Sequence, residues 1–391
     1  MTRASLALAP LAVIAFAAAA AAQDPGAVYQ QQPKQAYRFA GDSLARYEWT
    51  RNIPIGSPVP GEPGTLVDDN RYRVQLRPRV ELRFGPVELG VGGEFNYSDQ
   101  ENDVAPEGQT LTIIRDNYRS RDARLDLAYG KATLGPMTAQ GGRFLMPIPF
   151  TEMIWDRDLR PQGGAATLRL GEAQSPGRLT VHGIYATGSH VFDDEGDYLP
   201  ADVSKSGATE MYGGAVELSL GRPGESTLNV MGAYLQFEDL GKLEPPIRRQ
   251  NTRVDGLIVG NYHVFDIVGR LTRAGQLPLQ LVFDYCWNGE IDENNRGLWL
   301  AAVIGATGVS RGQLEYTYSK VDRDATLAAY NTDDFFWGTG WEGHRIDLGV
   351  ATNPKNTLHG IAQWQRFKDS SDPFVRDQWV TRYRVEWRTK F

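Results

Sequence analysis

From Arg71 to Phe84 the chain changes character at every residue. Arg71, Arg73, Gln75, Arg77, Arg79, Glu81 and Arg83 alternate with Tyr72, Val74, Leu76, Pro78, Val80, Leu82 and Phe84. Successive side chains of a strand point to opposite faces, so the segment reads as a strand with one charged and one apolar side. Thr381 to Phe391 repeats the pattern, with Arg382, Arg384, Glu386, Arg388 and Lys390 on one face and Thr381, Tyr383, Val385, Trp387, Thr389 and Phe391 on the other. Leu277 to Trp287 does likewise, its odd-numbered Leu, Phe, Tyr and Trp residues opposing Gln280, Asp284 and Cys286. A soluble sheet rarely lines one face of its final strand with five charges. A transmembrane barrel strand does, because lipid takes the apolar face and luminal water the charged one.

The same period predicts sixteen strands, at 41–52, 71–84, 86–97, 121–134, 136–145, 163–171, 177–187, 208–220, 225–238, 262–273, 277–289, 296–307, 310–322, 343–352, 356–368 and 376–391. The segment 296–307 alternates worst, because Leu298 to Ile304 is an unbroken apolar run. Turn chemistry marks every second connection as tight: Gly85-Pro86, Gly135-Pro136, 171–177, 221–224, 274–276, Gly308-Val309 and 353–356. Long polar spans fall between them, near 53–70, 98–120, 146–162, 188–207, 239–261, 290–295, 323–342 and 369–375. Strict alternation of short and long is the parity of a barrel with turns at one rim and loops at the other. The fold class is therefore all-β: a transmembrane antiparallel up-and-down β-barrel of about 16 strands, with short periplasmic turns and long extracellular loops.

The start of the chain fits that location. Residues 1–22 carry Arg3, an apolar stretch from Leu6 and a small-residue ending at Ala20, Ala21 and Ala22, and read as a cleaved signal peptide. The expected organisation is signal peptide 1–22, an N-terminal periplasmic segment 23–40 and an outer-membrane β-barrel 41–391. After residue 22 no run approaches the ~20 apolar residues of a membrane helix, which leaves strands as the only way to cross. Without Arg3 the chain has 40 basic and 48 acidic residues, a net charge of −8 that argues against nucleic-acid binding. The single Cys286 excludes an internal disulfide, and the five His residues show no metal-ligand spacing. No cofactor is expected.

Several segments then resemble a porin family of Gram-negative outer-membrane β-barrels. Gly142-Arg143-Phe144-Leu145-Met146-Pro147, Ile154-Trp155-Asp156-Arg157-Asp158-Leu159 and Gly163-Gly164 look like its "GRxxxP…WDxDL…G" passage. Leu277-Pro278-Leu279, Phe283-Asp284-Tyr285 and Asn288 look like its "GLPL…FGDY…N" strand, and Tyr316 to Asp334 with Gly343-His344 match in outline. The terminal Phe391 also resembles the C-terminal assembly signal of such barrels. The likeness runs over roughly 70–391. Two departures stand out: many members carry a helical coiled segment before the barrel, which this chain lacks, and Cys286 sits where a small or aliphatic residue is expected.

The resemblance implies a passive outer-membrane channel for small hydrophilic solutes, in contact with outer-membrane lipid and lipopolysaccharide, with trimers carried over by analogy with general porins. Candidate pore residues follow from the inward faces. Arg71, Arg73, Arg77, Arg79 and Arg83 would form a ladder beside Arg382, Arg384 and Arg388, with Arg46 able to join them. Such a wall concentrates anions; alternatively these arginines only stay solvated, partly neutralised by Glu81 and Glu386. The third long loop, 146–162, carries Glu152, Asp156, Arg157, Asp158 and Arg160 between prolines, and in general porins the third loop folds inward to face a basic wall. Its alternative role is an ordinary outer loop. Asp122, Arg124, Asp126 and Asp284 would add inward charge. Asp193-Asp194-Glu195-Gly196-Asp197 fits no defined cation loop, and Gly90, Gly92 and Gly93 lie in a strand, outside any nucleotide-binding context. Two other functions stay open: a barrel hydrolase, which would need a nucleophile within reach of His182, His344 or His359, and an adhesin or structural barrel plugged by its loops.

Overall fold

The computed structural model describes residues 36–55, 64–98, 122–172, 175–187, 209–222, 224–240, 251–254, 257–258, 260–308, 311–331, 334–336, 338–370 and 372–391. The expected signal peptide and the acidic run Asp193–Asp197 lie outside them. The strands are β1 (Tyr37–Ile55), β2 (Thr65–Phe84), β3 (Val87–Ser98), β4 (Asp122–Leu134), β5 (Met137–Arg143), β6 (Gln162–Leu170), β7 (Gly177–Thr187), β8 (Glu210–Leu220), β9 (Ser226–Glu238), β10 (Arg253–Val254), β11 (Leu257–Ile258), β12 (Tyr262–Arg273), β13 (Leu279–Asn288), β14 (Arg296–Gly305), β15 (Gly312–Val321), β16 (Trp341–Asn353), β17 (Asn356–Phe367) and β18 (Val380–Lys390). Apart from the small β10–β11 hairpin they pair antiparallel, each with its sequence neighbours, and β1 pairs with β18 to close a barrel of sixteen strands. Closure leaves no edge, so the backbone groups of the wall are paired within it, as hydrocarbon requires.

Each of the sixteen expected strands is present, with shifted ends. The one over 376–391 starts only at Val380, because Asp372 caps a short helix α1 (Pro373–Asp377), accepting from the Phe374 amide at 2.9 Å with Pro373 in the first turn. Strand β1 reaches back to Tyr37 and β2 to Thr65. The tight turns occupy one rim. At Gly85-Pro86 and Gly135-Pro136 the glycines take φ of 59° and 56°, which a two-residue hairpin needs at its first central position and a side chain disfavours.

The outer surface is apolar and bounded by two aromatic belts. Val74, Val91, Val216, Val230, Ile267, Leu281, Leu348 and Val385 face out from mid-strand, all exposed. Near the long-loop rim Tyr72 meets Tyr97, Tyr185 meets Tyr212, and Tyr234, Phe265, Trp287 and Tyr285 form a chain of ring contacts. At the turn rim Phe39 stacks on Phe391 at 5.7 Å, and Gly41 and Phe391 exchange two backbone hydrogen bonds of 3.0 Å. An apolar band between aromatic girdles is the outside of a membrane barrel. Val385→Arg, on that band, is expected to lower stability in lipid vesicles by roughly 2–4 kcal/mol. Denaturant unfolding monitored by Trp emission checks it, and a neutral outcome would mean that this face does not meet lipid.

Inside, the lumen is not open throughout. Part of the lumen is a packed core: inward Met211, Met231, Leu235, Phe237, Val264, Val268 and Trp299 are buried under residues of two loops. This explains the poor alternation of β14. Leu298, Leu300 and Ile304 face out, while Trp299 and Ala301 on the inner face also meet apolar atoms. Cys286 is buried in the same core, its thiol 4.0 Å from the Ala325 carbonyl.

Candidate channel constriction

The third loop, between β5 and β6, turns into the lumen. Its chain is extended at Phe144, whose amide bonds the Pro161 carbonyl at 3.1 Å, and then coils where the Thr151 carbonyl accepts from the amides of Ile154 and Trp155. Ile148, Met153, Ile154, Trp155 and Leu159 supply the apolar face that binds it to the wall of β8, β9 and β12–β14. A second loop, between β15 and β16, is inserted as well. Ala325, Leu327, Ala329, Tyr330, Phe335 and Phe336 are buried, and Tyr330 stacks between Trp155 (5.3 Å) and Phe237 (5.4 Å). The Asp156 amide donates to the Tyr330 carbonyl at 2.8 Å, so the two loops are joined by backbone as well as by rings. Asn251, on the connection from β9 to β12, holds this second loop through the Arg323 and Thr326 carbonyls and the Ala328 amide.

Among the described residues a space of about 370 Å³ lies between these loops and the wall formed by β15–β18, β1 and β2. Eight acidic and seven basic side chains line it. Asp42, Glu315, Asp347 and Glu386 come from strands and Glu152, Asp156, Asp158 and Asp334 from the two loops; Arg46, Arg77, Arg345, Arg384, Arg388 and Lys390 come from strands and Arg157 from the third loop.

Register decides how the charges meet. Pairing places Glu48 of β1 between Arg71 of β2 and Arg384 of β18, and Asp42 between Arg77 and Lys390. Glu48, 1% exposed, accepts from Arg71 at 2.9 Å and Arg382 at 3.2 Å, and also from Arg384. Arg46 bridges Glu386 and Asp334, both at 2.7 Å, and Arg384 reaches Asp334 at 3.3 Å. Arg77 bonds Asp42 at 2.8 Å and also Asp158, which Arg73 approaches at 4.0 Å. Arg79 pairs with Glu81 at 3.1 Å, Arg83 with Glu88 at 2.9 Å, and Arg388 with Glu386 at 2.6 Å. The arginines thus form a continuous inner row, interleaved with carboxylates.

On the third loop, Glu152 takes Arg345 at 2.9 Å and Arg157 at 3.0 Å, and Arg160 pairs with Asp126 at 2.9 Å. Arg345 also lies over the Trp299 and Phe335 rings. Asp126 belongs to a bulge of β4 where the register shifts opposite Gly92 and Gly93. Arg124 pairs with Glu94 at 2.9 Å, tying β3 to β4. Burial, reinforced by the neighbouring Asp158 and Asp334, pushes the loop carboxyl of Asp156 up to about 7.

Sequence reasoning missed Glu48, Asp42, Asp334, Glu315, Asp347 and Arg345. The strand carboxylates become part of the site only through register. Asp334 carried one legible signal, because its loop contains Phe335, Phe336 and Tyr330, more apolar surface than a solvated loop needs.

Among the histidines, His182 faces inward and shares a 3.1 Å hydrogen bond with Thr167, while His344 is on the outer face beside Tyr316 and Tyr318. His359 comes nearest to a catalytic array, with Nδ1 2.8 Å from Asp347 and Nε2 3.1 Å from the Thr357 hydroxyl. The amides around Thr357 belong to the β16–β17–β18 ladder, so they cannot stabilise a developing oxyanion, which acyl transfer requires. Among the described residues no group of three or more His, Cys, Asp or Glu side chains is arranged to hold a metal.

The fold has known counterparts. The chain is similar to a high-pH structure of OprB from Pseudomonas putida, at 12% identity over 91% of this chain and 94% of that one, with a TM-score of 0.59. A mutant of the Rhodobacter blastica porin matches at 11% identity over 91% of this chain and all of that one, with a TM-score of 0.45. No protein-family model and no curated protein matches the chain. At 12% identity the likeness to OprB is one of fold: the two chains share a β-barrel architecture.

Proposed function

We propose that this barrel is a porin of a Gram-negative outer membrane, a passive channel for small hydrophilic solutes. The observation that carries the reading is the charged opening of about 370 Å³ left beside two inserted loops in a barrel whose exterior is apolar. Opposed charges across a narrow opening align dipolar solutes and disfavour apolar ones. The experiment is planar-bilayer recording of the purified full chain. Discrete conductance steps are expected, and an intact barrel without current would favour the plugged, structural alternative. The hydrolase alternative loses support from the committed amides around Thr357. Outer-membrane lipid and lipopolysaccharide suit the apolar exterior between its aromatic belts, and a homotrimer, carried over from general porins, is checked by cross-linking in detergent.

Selectivity follows from the lining. With eight acids against seven bases the formal balance is close to neutral, so a weak preference is expected at high pH. As pH falls through about 7, Asp156 takes up a proton and the lining becomes more positive. The anion-to-cation permeability ratio should therefore rise between pH 8 and pH 6, and Asp156→Asn should flatten that response. Reversal potentials in a KCl gradient measure both.

Arg77→Ala should act in the opposite direction, because it leaves Asp42 and Asp158 without their shared guanidinium in the opening. The ratio should fall, and adding Arg79→Ala should change it little further, since Arg79 pairs with Glu81 outside the opening. An unaltered reversal potential in Arg77→Ala would remove the inner row from the selectivity mechanism.

A further inference from the structure

The barrel exterior carries a basic patch at the long-loop rim that the channel does not use. Arg296 opens β14 and Lys320 lies near the end of β15, and both are exposed on the outward face. Lys320 stands opposite Leu298, so Arg296 is its diagonal neighbour across the two strands, and side chains of this length can reach one small anion together. Trp287 lies opposite Arg296 and Tyr285 opposite Leu298. Tyr318 and His344, 5.2 Å apart, come one step further toward the membrane.

The acids of this rim are already engaged. Glu342, opposite Lys320, accepts from Arg366 at 2.6 Å, and Arg366 also lies over the Trp379 ring at 5.2 Å. Asp322, two residues beyond Lys320, takes Lys368 at 2.8 Å. Among the described residues Arg296 and Lys320 make no ion pair, and the exposed Asp292 and Glu293 of the loop before β14 pair with neither.

A cation gains nothing from facing hydrocarbon, and a long basic side chain at a membrane boundary lifts its charge to the headgroups. At the long-loop rim those are the headgroups of the outer leaflet. Two adjacent cations, one of them a guanidinium with its fork of donors, match the multiple charge and oxygens of a phosphate. The rings just below occupy the level where headgroup gives way to acyl chain, and Leu298 and Leu300 continue the outward face as an apolar track.

We propose that Arg296 and Lys320 hold the phosphate of one outer-leaflet lipid, whose acyl chains lie along Leu298 and Leu300. The site presupposes that the exterior meets outer-membrane lipid, which Val385→Arg tests separately, and is independent of whether the opening conducts.

The test is native mass spectrometry of the full chain, folded in detergent and titrated with phosphorylated lipid A or with its dephosphorylated form. The unsubstituted protein should retain the phosphorylated lipid, and Arg296→Gln combined with Lys320→Gln should weaken that binding by roughly tenfold or more, the scale for losing two cations at an anionic surface. Arg51→Gln, which removes a rim cation already paired with Asp68 at 3.1 Å, should leave it unchanged. Equal retention by the double variant, or equal retention of the dephosphorylated lipid, would overturn the proposal. So would displacement of the lipid by an equal concentration of inorganic phosphate, which would mark a site for a free anion. If the double variant does not fold, Lys320→Gln alone decides: binding equal to the parent's rules the site out.

Discussion

Glu48→Ala should destabilise the barrel by about 3–5 kcal/mol, the range for removing one partner of a buried ion pair. Glu48 is almost fully enclosed and is bonded by Arg71, Arg382 and Arg384. Removing its carboxylate leaves three guanidinium groups crowded at the contact between β18, β1 and β2 with less negative charge to offset their repulsion, Asp334 still holding Arg384 at 3.3 Å. Glu48→Gln keeps the volume and one acceptor but loses the charge, so its cost should be smaller and still clear. Urea unfolding in lipid vesicles gives the comparison. Replacing Arg382 by Leu in the Glu48→Ala background should recover part of the loss, because one of the three crowded positive charges goes with it. A Glu48→Ala midpoint equal to the parent's would show that water reaches the cluster.

Replacing residues 148–159 with a short Gly-Ser link should raise single-channel conductance roughly twofold or more, since a sixteen-stranded barrel without its inserted chain is wide enough for an aqueous channel. The deletion removes Met153, Ile154, Trp155 and Leu159 from the core and takes away one of the two rings on which Tyr330 stacks. The second inserted loop loses a contact at the same time, so current fluctuations should increase along with the mean. The exposed apolar wall of Leu235, Phe237 and Val264 should make this variant less stable than its parent. Conductance at the parental level would place the narrowest part of the path outside these loops.

The barrel was legible in the sequence because each membrane strand is sorted by two solvents, and a period of two survives wherever one solvent is oily and the other is water. Where both sides meet apolar atoms the signal fades, as in β14, yet the turns on either side still placed that strand. The 376–391 boundary failed because Asp372-Pro373 is a local helix start, which outweighs alternation over a few residues. The site was harder to read. Arg77 and Asp158 were recognisable as inner-wall and loop charges, but that Asp42 stands opposite Arg77, and Glu48 between Arg71 and Arg384, depends on the register of strands far apart in sequence. Asp334 was hidden in a span that looked like one more outer loop. Its aromatic neighbours gave the only hint that the span turns inward.

The bond between Arg382 and Glu48 joins residues 334 positions apart. Contacts of such separation form late, because a long stretch of chain must be ordered before they are rewarded. Until β18 closes onto β1, Glu48 at one margin has Arg71 but not the β18 arginines, and Arg382 and Arg384 at the other margin have not met Glu48. Opposite charge on the two free margins draws them together and disfavours joining either to a copy of itself. Circularisation of one polypeptide is thereby preferred over side-by-side association of two unfinished ones.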